Sequence, residues 1–177
     1  MRIFWWLLLP LLAWGFEGTL VQIVDGDTVV LKDAKGSQTI CQLGFLDAPE
    51  DRANDRLVAQ ATRCNLPQSS LKQAGQEATA FIKATLVLGE TYTYELLSPK
   101  NNSWAHCLIH IPKAAHAQLH PTINGVMLDQ GFGAFFPLGK QSPHANEMEK
   151  FAKAAHKEVR GLWKTHPRIM ECLSPIP

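Results

Sequence analysis

From Thr19 onward, apolar and polar positions alternate over short runs. TLVQIVD and TVVLKD flank Gly26, and SQTICQLGFL follows a Lys35-Gly36 turn. β-Branched residues separated by tight turn signals predict a three-strand meander. A long polar stretch, Asp51 to Gln73, interrupts the pattern. The period then changes. Ala78, Ile82 and Leu86 recur at four-residue spacing, Phe81 and Thr85 widen the stripe, and Gly89 closes it, so a helix is expected from near Gln76. TYTYELL and WAHCLIHI predict two more strands, and INGVMLDQG a short helix ending at Gly131. Ser142-Pro143 offers a capping serine and a first-turn proline for a last helix. Its buried face is expected to run through Met148, Ala152, Ala155, Val159 and Leu162. Three strands, a helix, two strands and two helices predict an α+β fold. It is a five-stranded OB-type β-barrel with three α-helices packed outside.

The first residues, MRIFWWLLLPLLAWG, place Arg2 before an unbroken apolar run, with Ala13 and Gly15 before a cleavage point near Phe16. This is the build of a secretory signal peptide. The run is shorter than the roughly 20 residues that span a bilayer. The expected organisation is a signal peptide over 1–15, a single domain over 16–165 and a C-terminal tail over 166–177. The product is an exported monomer, periplasmic or secreted, with no stable membrane insertion after cleavage. Of the chain's 17 Lys and Arg, 16 remain once Arg2 is removed, against 16 Asp and Glu. A near-neutral chain lacks the broad basic field of a strong nucleic-acid binder, so any polyanion contact has to be local.

Export permits disulfides, and Cys41, Cys64, Cys107 and Cys172 can pair in three ways. Cys41 and Cys107 fall in predicted strands, where a small buried thiol is the plain expectation. Cys64 and Cys172 fall in irregular segments and could staple the tail to a long loop.

VDGDTVVL places Asp25 and Asp27 around Gly26, and GFLDAPE ends a strand in Asp47 and Glu50 with Pro49 between them. Each alone is explained by a turn. Together, two strand ends supply carboxylates that can converge at one barrel mouth. Such a cluster is costly unless a cation neutralises it, and hard oxygen ligands suit calcium or magnesium rather than zinc.

At these residues the chain resembles the staphylococcal nuclease (thermonuclease) family over nearly all of Thr19 to Trp163. VDGDT and GFLDAPE match the family's two acidic motifs. GQEATAFIK, INGVMLDQG and HKEVRGLW match its helices in order. The resemblance implies calcium-dependent hydrolysis of DNA or RNA phosphodiesters, leaving 3′-phosphate ends with little sequence preference. It implies Asp27 and Asp47 as carboxylate ligands of the calcium ion, the backbone carbonyl of Ala48 as a further ligand, and Asp25 standing behind them. Glu50 matches the general base that orients or activates the attacking water.

The family places arginines where this chain has Gln42 and His106, and an aromatic residue where it has Trp104. Arginine suits that work because it is always charged and grips phosphate through two donors. Gln42 offers one neutral amide. His106 offers charge only when protonated, a state that nearby carboxylates would favour. Losing one preorganised donor costs about 10²–10³ in rate, so weak turnover is expected. Arg52, Arg56, Arg63 and Lys100 are alternative phosphate contacts, although a solvated surface charge is the plainer role for each. Trp104 could stack on a base or pack at the barrel rim. His110, His116 and His120 match no defensible metal spacing and are expected in a solvated loop. Asn101-Asn102-Ser103 is a glycosylation sequon, relevant only in a host that glycosylates. Two rival functions remain. One is a non-catalytic OB-fold module that binds single-stranded nucleic acid or a protein partner. The other is a phosphodiesterase for a small phosphate ester, with Gln42 and His106 retuned.

Overall fold

β1 (Phe16–Ile23), β2 (Thr28–Lys32) and β3 (Gln38–Leu43) form the expected antiparallel meander, with a register shift in β1 between Leu20 and Gln22. The computed structural model describes residues 15–112, 120–138 and 142–174, so the expected leader and His116 lie outside the described residues, apart from Gly15. After β3 come the two-residue β4 (Leu46–Asp47) and the helices α1 (Asp55–Cys64) and α2 (Gln68–Thr85). β5 (Thr91–Leu96) and β6 (Trp104–Ile109) complete the barrel strands. They are followed by α3 (Ile123–Asp129), β7 (Ala134–Phe135), α4 (Ala145–Lys157), α5 (Leu162–Thr165) and α6 (Pro167–Leu173).

The five long strands close into a barrel in the order β1-β2-β3-β6-β5, while β4 and β7 pair separately. β3 and β6 run parallel, with Gln42 opposite His106. A parallel pair needs a long crossover, here supplied by α1, α2 and β5. The barrel interior is filled by the alternate residues that the pattern predicts, including Leu20, Val29, Leu31, Cys41, Leu43, Ala105, Cys107 and Ile109, all buried. Leu71, Ala74, Ala78 and Ile82 give α2 a continuous apolar stripe against this core.

Four expectations change. The polar stretch is not a loop: it folds into α1 and the first turns of α2. Its hydrophobic signal is faint because the buried face of α1 is Leu57, Gln60 and Ala61, with a glutamine where an apolar residue would announce the helix. The last helix begins at Ala145. His144 occupies its cap without a side-chain hydrogen bond, and Ser142 contributes only its carbonyl, to the Ala145 amide at 3.1 Å. That helix also stops before Val159, which is exposed at a φ of 54°, and Leu162 belongs to the separate α5. The segment read as a tail contains α6, whose Ile169, Met170 and Leu173 are buried.

All four cysteines are paired. Cys64–Cys172 joins the end of α1 to α6, the staple considered from sequence. Cys41 and Cys107 are not free thiols: the parallel pairing of β3 with β6 brings their Cα atoms to 5.4 Å, and they form the second disulfide.

Candidate active site

The β1–β2 connection turns tightly through Val24 to Thr28, with the Val24 amide donating to the Thr28 carbonyl at 2.8 Å. This turn points Asp27 inward at the barrel mouth, and several neighbours hold it there. Its carboxylate accepts from Thr28 Oγ1 at 2.8 Å and from the Ala48 amide at 3.1 Å, and its carbonyl accepts from the Leu43 amide at 2.7 Å. Asp25 accepts from the Asp27 amide at 3.3 Å. Asp47 is carried by β4, opposite Ala134 of β7. Glu50 follows Pro49 and lies against α2 at Gly75. A Cβ on Gly75 would stand 2.4 Å from the Glu50 carbonyl carbon, so only glycine lets the helix approach this closely.

α1 covers this mouth. Asn54 caps the helix by accepting from the Leu57 amide at 2.7 Å, and its amide group donates to Glu50 Oε2 at 2.8 Å. Gln60 binds the acidic loop at two points: its Oε1 accepts from the Glu50 amide at 3.0 Å, and its Nε2 donates to the Ala48 carbonyl at 3.2 Å. Arg56 Nε donates to Glu50 Oε1 at 2.8 Å, and its Nη2 lies 3.7 Å from Asp47 Oδ1. Arg63 Nη2 lies 3.6 Å from Asp47 Oδ2. A cavity of about 220 Å³ lies here, lined by Asp47, Arg56, Ala59, Gln60 and Arg63.

The acids are electrostatically coupled. Burial, and behind it repulsion from Asp25, push the Asp27 carboxyl up to about 8. Burial also raises Asp47, against the pull of Arg56 and Arg63. Glu50 is raised by burial too, opposed by the Asn54 hydrogen bond and by Arg56. Burial works against the charge of Arg56, yet Asp27, Glu50, Asp47 and Asp25 together hold its pKa above the usual value. A single guanidinium therefore sits in the field of all four carboxylates.

Gln42 and His106 are neighbours across β3 and β6, and Gln42 also faces Thr28 of β2, beside Asp27. Among the described residues, no hydrogen bond or ion pair joins either side chain to the acids. Burial lowers the pKa of His106, and no carboxylate offsets it. The expectation of a histidine held protonated is thus not met. Trp104 is partly exposed and packs edge-on against His106, with ring centroids 4.5 Å apart. Of the other alternative cations, Arg52 is engaged with Asp51 at 2.8 Å, while Lys100 is exposed. The two described histidines of the expected loop go to different acids, His110 to Glu95 at 2.7 Å and His120 to Asp129 at 3.3 Å. His120 is buried rather than solvated.

Among the described residues, no group of three or more His, Cys, Asp or Glu side chains forms a ready-made metal cage. The donors at the mouth are nonetheless of the right kind for a hard divalent cation. Asp27, Asp47 and the Ala48 carbonyl are all oxygen, and each Asp27 oxygen and the Ala48 carbonyl accepts a single hydrogen bond. The four acids outnumber the two guanidiniums of Arg56 and Arg63 beside them. An ion of the magnesium or calcium class that takes one or two carboxylates and fills its shell with water and phosphate fits this set.

Sequence reasoning missed Asn54 and Gln60. The available signal was local: Asn54-Asp55 is a capping pair, and Arg56, Gln60 and Arg63 share one helical face by their spacing of four and three.

No family model matches the chain. Over 159 residues, 88% of its length, it is 21% identical to Endonuclease YhcR of Bacillus subtilis. The chain spans about 12% of the length of that relative.

Proposed function

We propose that this chain is a nuclease of the thermonuclease type, hydrolysing DNA or RNA phosphodiesters with the help of a calcium ion, in an oxidising compartment outside the cytoplasm. The observation that carries the reading is the meeting at one barrel mouth of Asp27, from the turn after β1, with Asp47 and Glu50, from β4 and the residues just after it. The similarity to an endonuclease supports it, and the two disulfides support export.

Asp27, Asp47 and the Ala48 carbonyl would hold the ion, with Asp25 behind them. When bound, the cation supplies Lewis-acid polarisation of the phosphoryl oxygen and neutralises developing charge. Glu50 takes a proton from the attacking water. Its burial raises its proton affinity toward the range in which a general base works best near neutrality. Asn54 and Arg56 fix its two oxygens, so its direction is set before substrate arrives. Trp104 offers a partly exposed ring on which a base can stack.

Digestion of plasmid DNA and RNA, with calcium and then with chelator, tests the activity. Cutting is expected with calcium and none with chelator, and Glu50→Gln should reduce the rate at least 10²-fold, the low end for a general base. Calcium should also raise the thermal midpoint by linkage, and Asp27→Ala should remove that shift. A melting curve unchanged across millimolar calcium would overturn the metal site.

A second reading, a non-catalytic module that binds single-stranded nucleic acid, is favoured by one observation: Gln42 and His106 are both neutral near pH 7. Oligonucleotide binding with no cleavage in calcium would select it.

A further inference from the structure

We infer that Arg56 and Arg63 of α1 are the phosphate-gripping pair of this site, doing from a covering helix what the barrel positions Gln42 and His106 do not. The inference rests on the phosphodiester reading above and names the residues that would recognise the substrate's charge.

Four observations lead there. First, both guanidiniums reach the acidic mouth from one helical face. They are seven residues apart, with Gln60 between them anchoring that face to the Glu50 and Ala48 backbone. Second, neither arginine is used up. The contacts to Asp47, 3.6 and 3.7 Å, are too long for hydrogen bonds. Arg56 commits only its Nε, to Glu50, and the two side chains are 50% and 54% exposed. Each guanidinium therefore keeps donors for a second anion, and two donors in a fixed fork suit a phosphate. Third, there is space. Ala59, small and on the same face, leaves a cavity of about 220 Å³ between the arginines, with Asp47 at its wall. A phosphoryl group placed there touches both guanidiniums and lies beside a carboxylate that would hold the cation. Fourth, the helix is fixed. Cys64, the residue after Arg63, is bonded to Cys172 of α6, and Asn54 caps the other end.

Arg52 does not compete. Its Nε is taken by Asp51 at 2.8 Å, and it lines a different cavity with Gln76, Thr79, Ala80 and Lys83. The alternative for Arg56 and Arg63 is that they only neutralise the acids. That role also lowers affinity when the charge is removed, because the uncovered acids repel the strand, but it predicts no loss when lysine replaces arginine, so the Lys pair separates the two roles.

The test is fluorescence anisotropy in calcium with a labelled single-stranded DNA oligonucleotide whose phosphorothioate linkages resist cleavage. Arg56→Gln and Arg63→Gln are each expected to weaken binding about tenfold, the usual worth of a charge-assisted hydrogen bond. The double variant should also lower the slope of log affinity against log salt by about 0.7, since at least one phosphate contact is lost on a single strand. Lys153→Gln, an equal charge loss on α4, should change affinity less than about twofold. Arg56→Lys with Arg63→Lys keeps the charge and removes the fork. Affinity should then fall several-fold with the salt slope kept. A wild-type protein that binds no oligonucleotide overturns the phosphodiester reading and this inference with it. Wild-type binding that survives the double Gln or the double Lys substitution overturns this inference alone.

Discussion

His106 shows how one side chain's surroundings decide its chemistry. Its backbone amide donates to Ser98 Oγ at 3.0 Å, Trp104 shields one side, and no acid is near enough to raise its pKa. The folded state therefore favours neutral imidazole. The sign follows from linkage: with a folded pKa below the ordinary 6.5, the unfolded chain binds more protons in that range. The stability this group contributes is present above pH 6.5 and is lost as pH falls through the folded value. An NMR titration should place the His106 midpoint below 6.5, and His106→Gln should flatten stability against pH just under that value. A midpoint at or above 6.5 would overturn the account. The acids behave differently with respect to legibility. Asp25, Asp27, Asp47 and Glu50 could be picked from sequence because turn and strand-end signals fixed where each side chain goes. Gln60 could not, because its value lies in two backbone partners, at positions 48 and 50, that only the folded chain brings beside it.

Among the elements, the five barrel strands and α3 were legible, while α1 and the two-residue β4 and β7 were not. Strand identity followed from alternation, and the five-strand barrel followed from strand count. α3 was visible as INGVMLDQG, and all seven of its residues are buried. Its one amide side chain explains how so short a helix is held. Asn124 accepts from the Ile109 amide at 3.1 Å and donates to the Gly44 and Cys107 carbonyls, both at 2.9 Å. It thus ties α3 to β6 and to the turn after β3. The Cys107 carbonyl keeps a second partner in the Gly44 amide, so truncation leaves the other two backbone groups most exposed to loss. Asn124→Ala should destabilise the protein by roughly 2–4 kcal/mol, given about 1–3 kcal/mol for each buried group left unsatisfied. Urea unfolding with an unchanged slope would read this directly, and a loss under 1 kcal/mol would contradict it. α1 escaped notice for the opposite reason. Its buried face is short, with only Leu57 and Ala61 as apolar residues around Gln60, so hydrophobic periodicity carries little of its signal.

At the scale of the whole molecule, two cross-links divide the work between barrel and cover. Cys41–Cys107 lies wholly within the buried barrel and ties the one parallel pair, while Cys64–Cys172 spans 108 residues to hold α1 against α6. Neither was fixed by sequence, because pairing depends on the parallel strand order and on α6, which has no long periodic stretch of its own. The chain-entropy account gives both bonds a similar upper worth, about 4–5 kcal/mol for loops of this length, so total stability distinguishes them poorly. Position distinguishes them. Loss of Cys41–Cys107 relaxes the core on which every element rests, and loss of Cys64–Cys172 frees the helix that carries Arg56 and Arg63. With near-neutral charge over the whole chain, recognition of a polyanion has no broad field to fall back on and depends on that helix staying in place. Cys64→Ser with Cys172→Ser should therefore speed amide exchange in α1 and α6 well beyond any change in the barrel strands. It should also weaken oligonucleotide binding several-fold at a temperature where the protein remains folded. Cys41→Ala with Cys107→Ala should lower the thermal midpoint and speed exchange across the barrel, without singling out α1. Hydrogen-exchange mass spectrometry on the two variants makes the comparison. If α1 in the Cys64 and Cys172 variant stays as protected as in the wild type, Asn54, Gln60 and the ion pairs hold the cover by themselves, and the disulfide has no part in presenting the arginines.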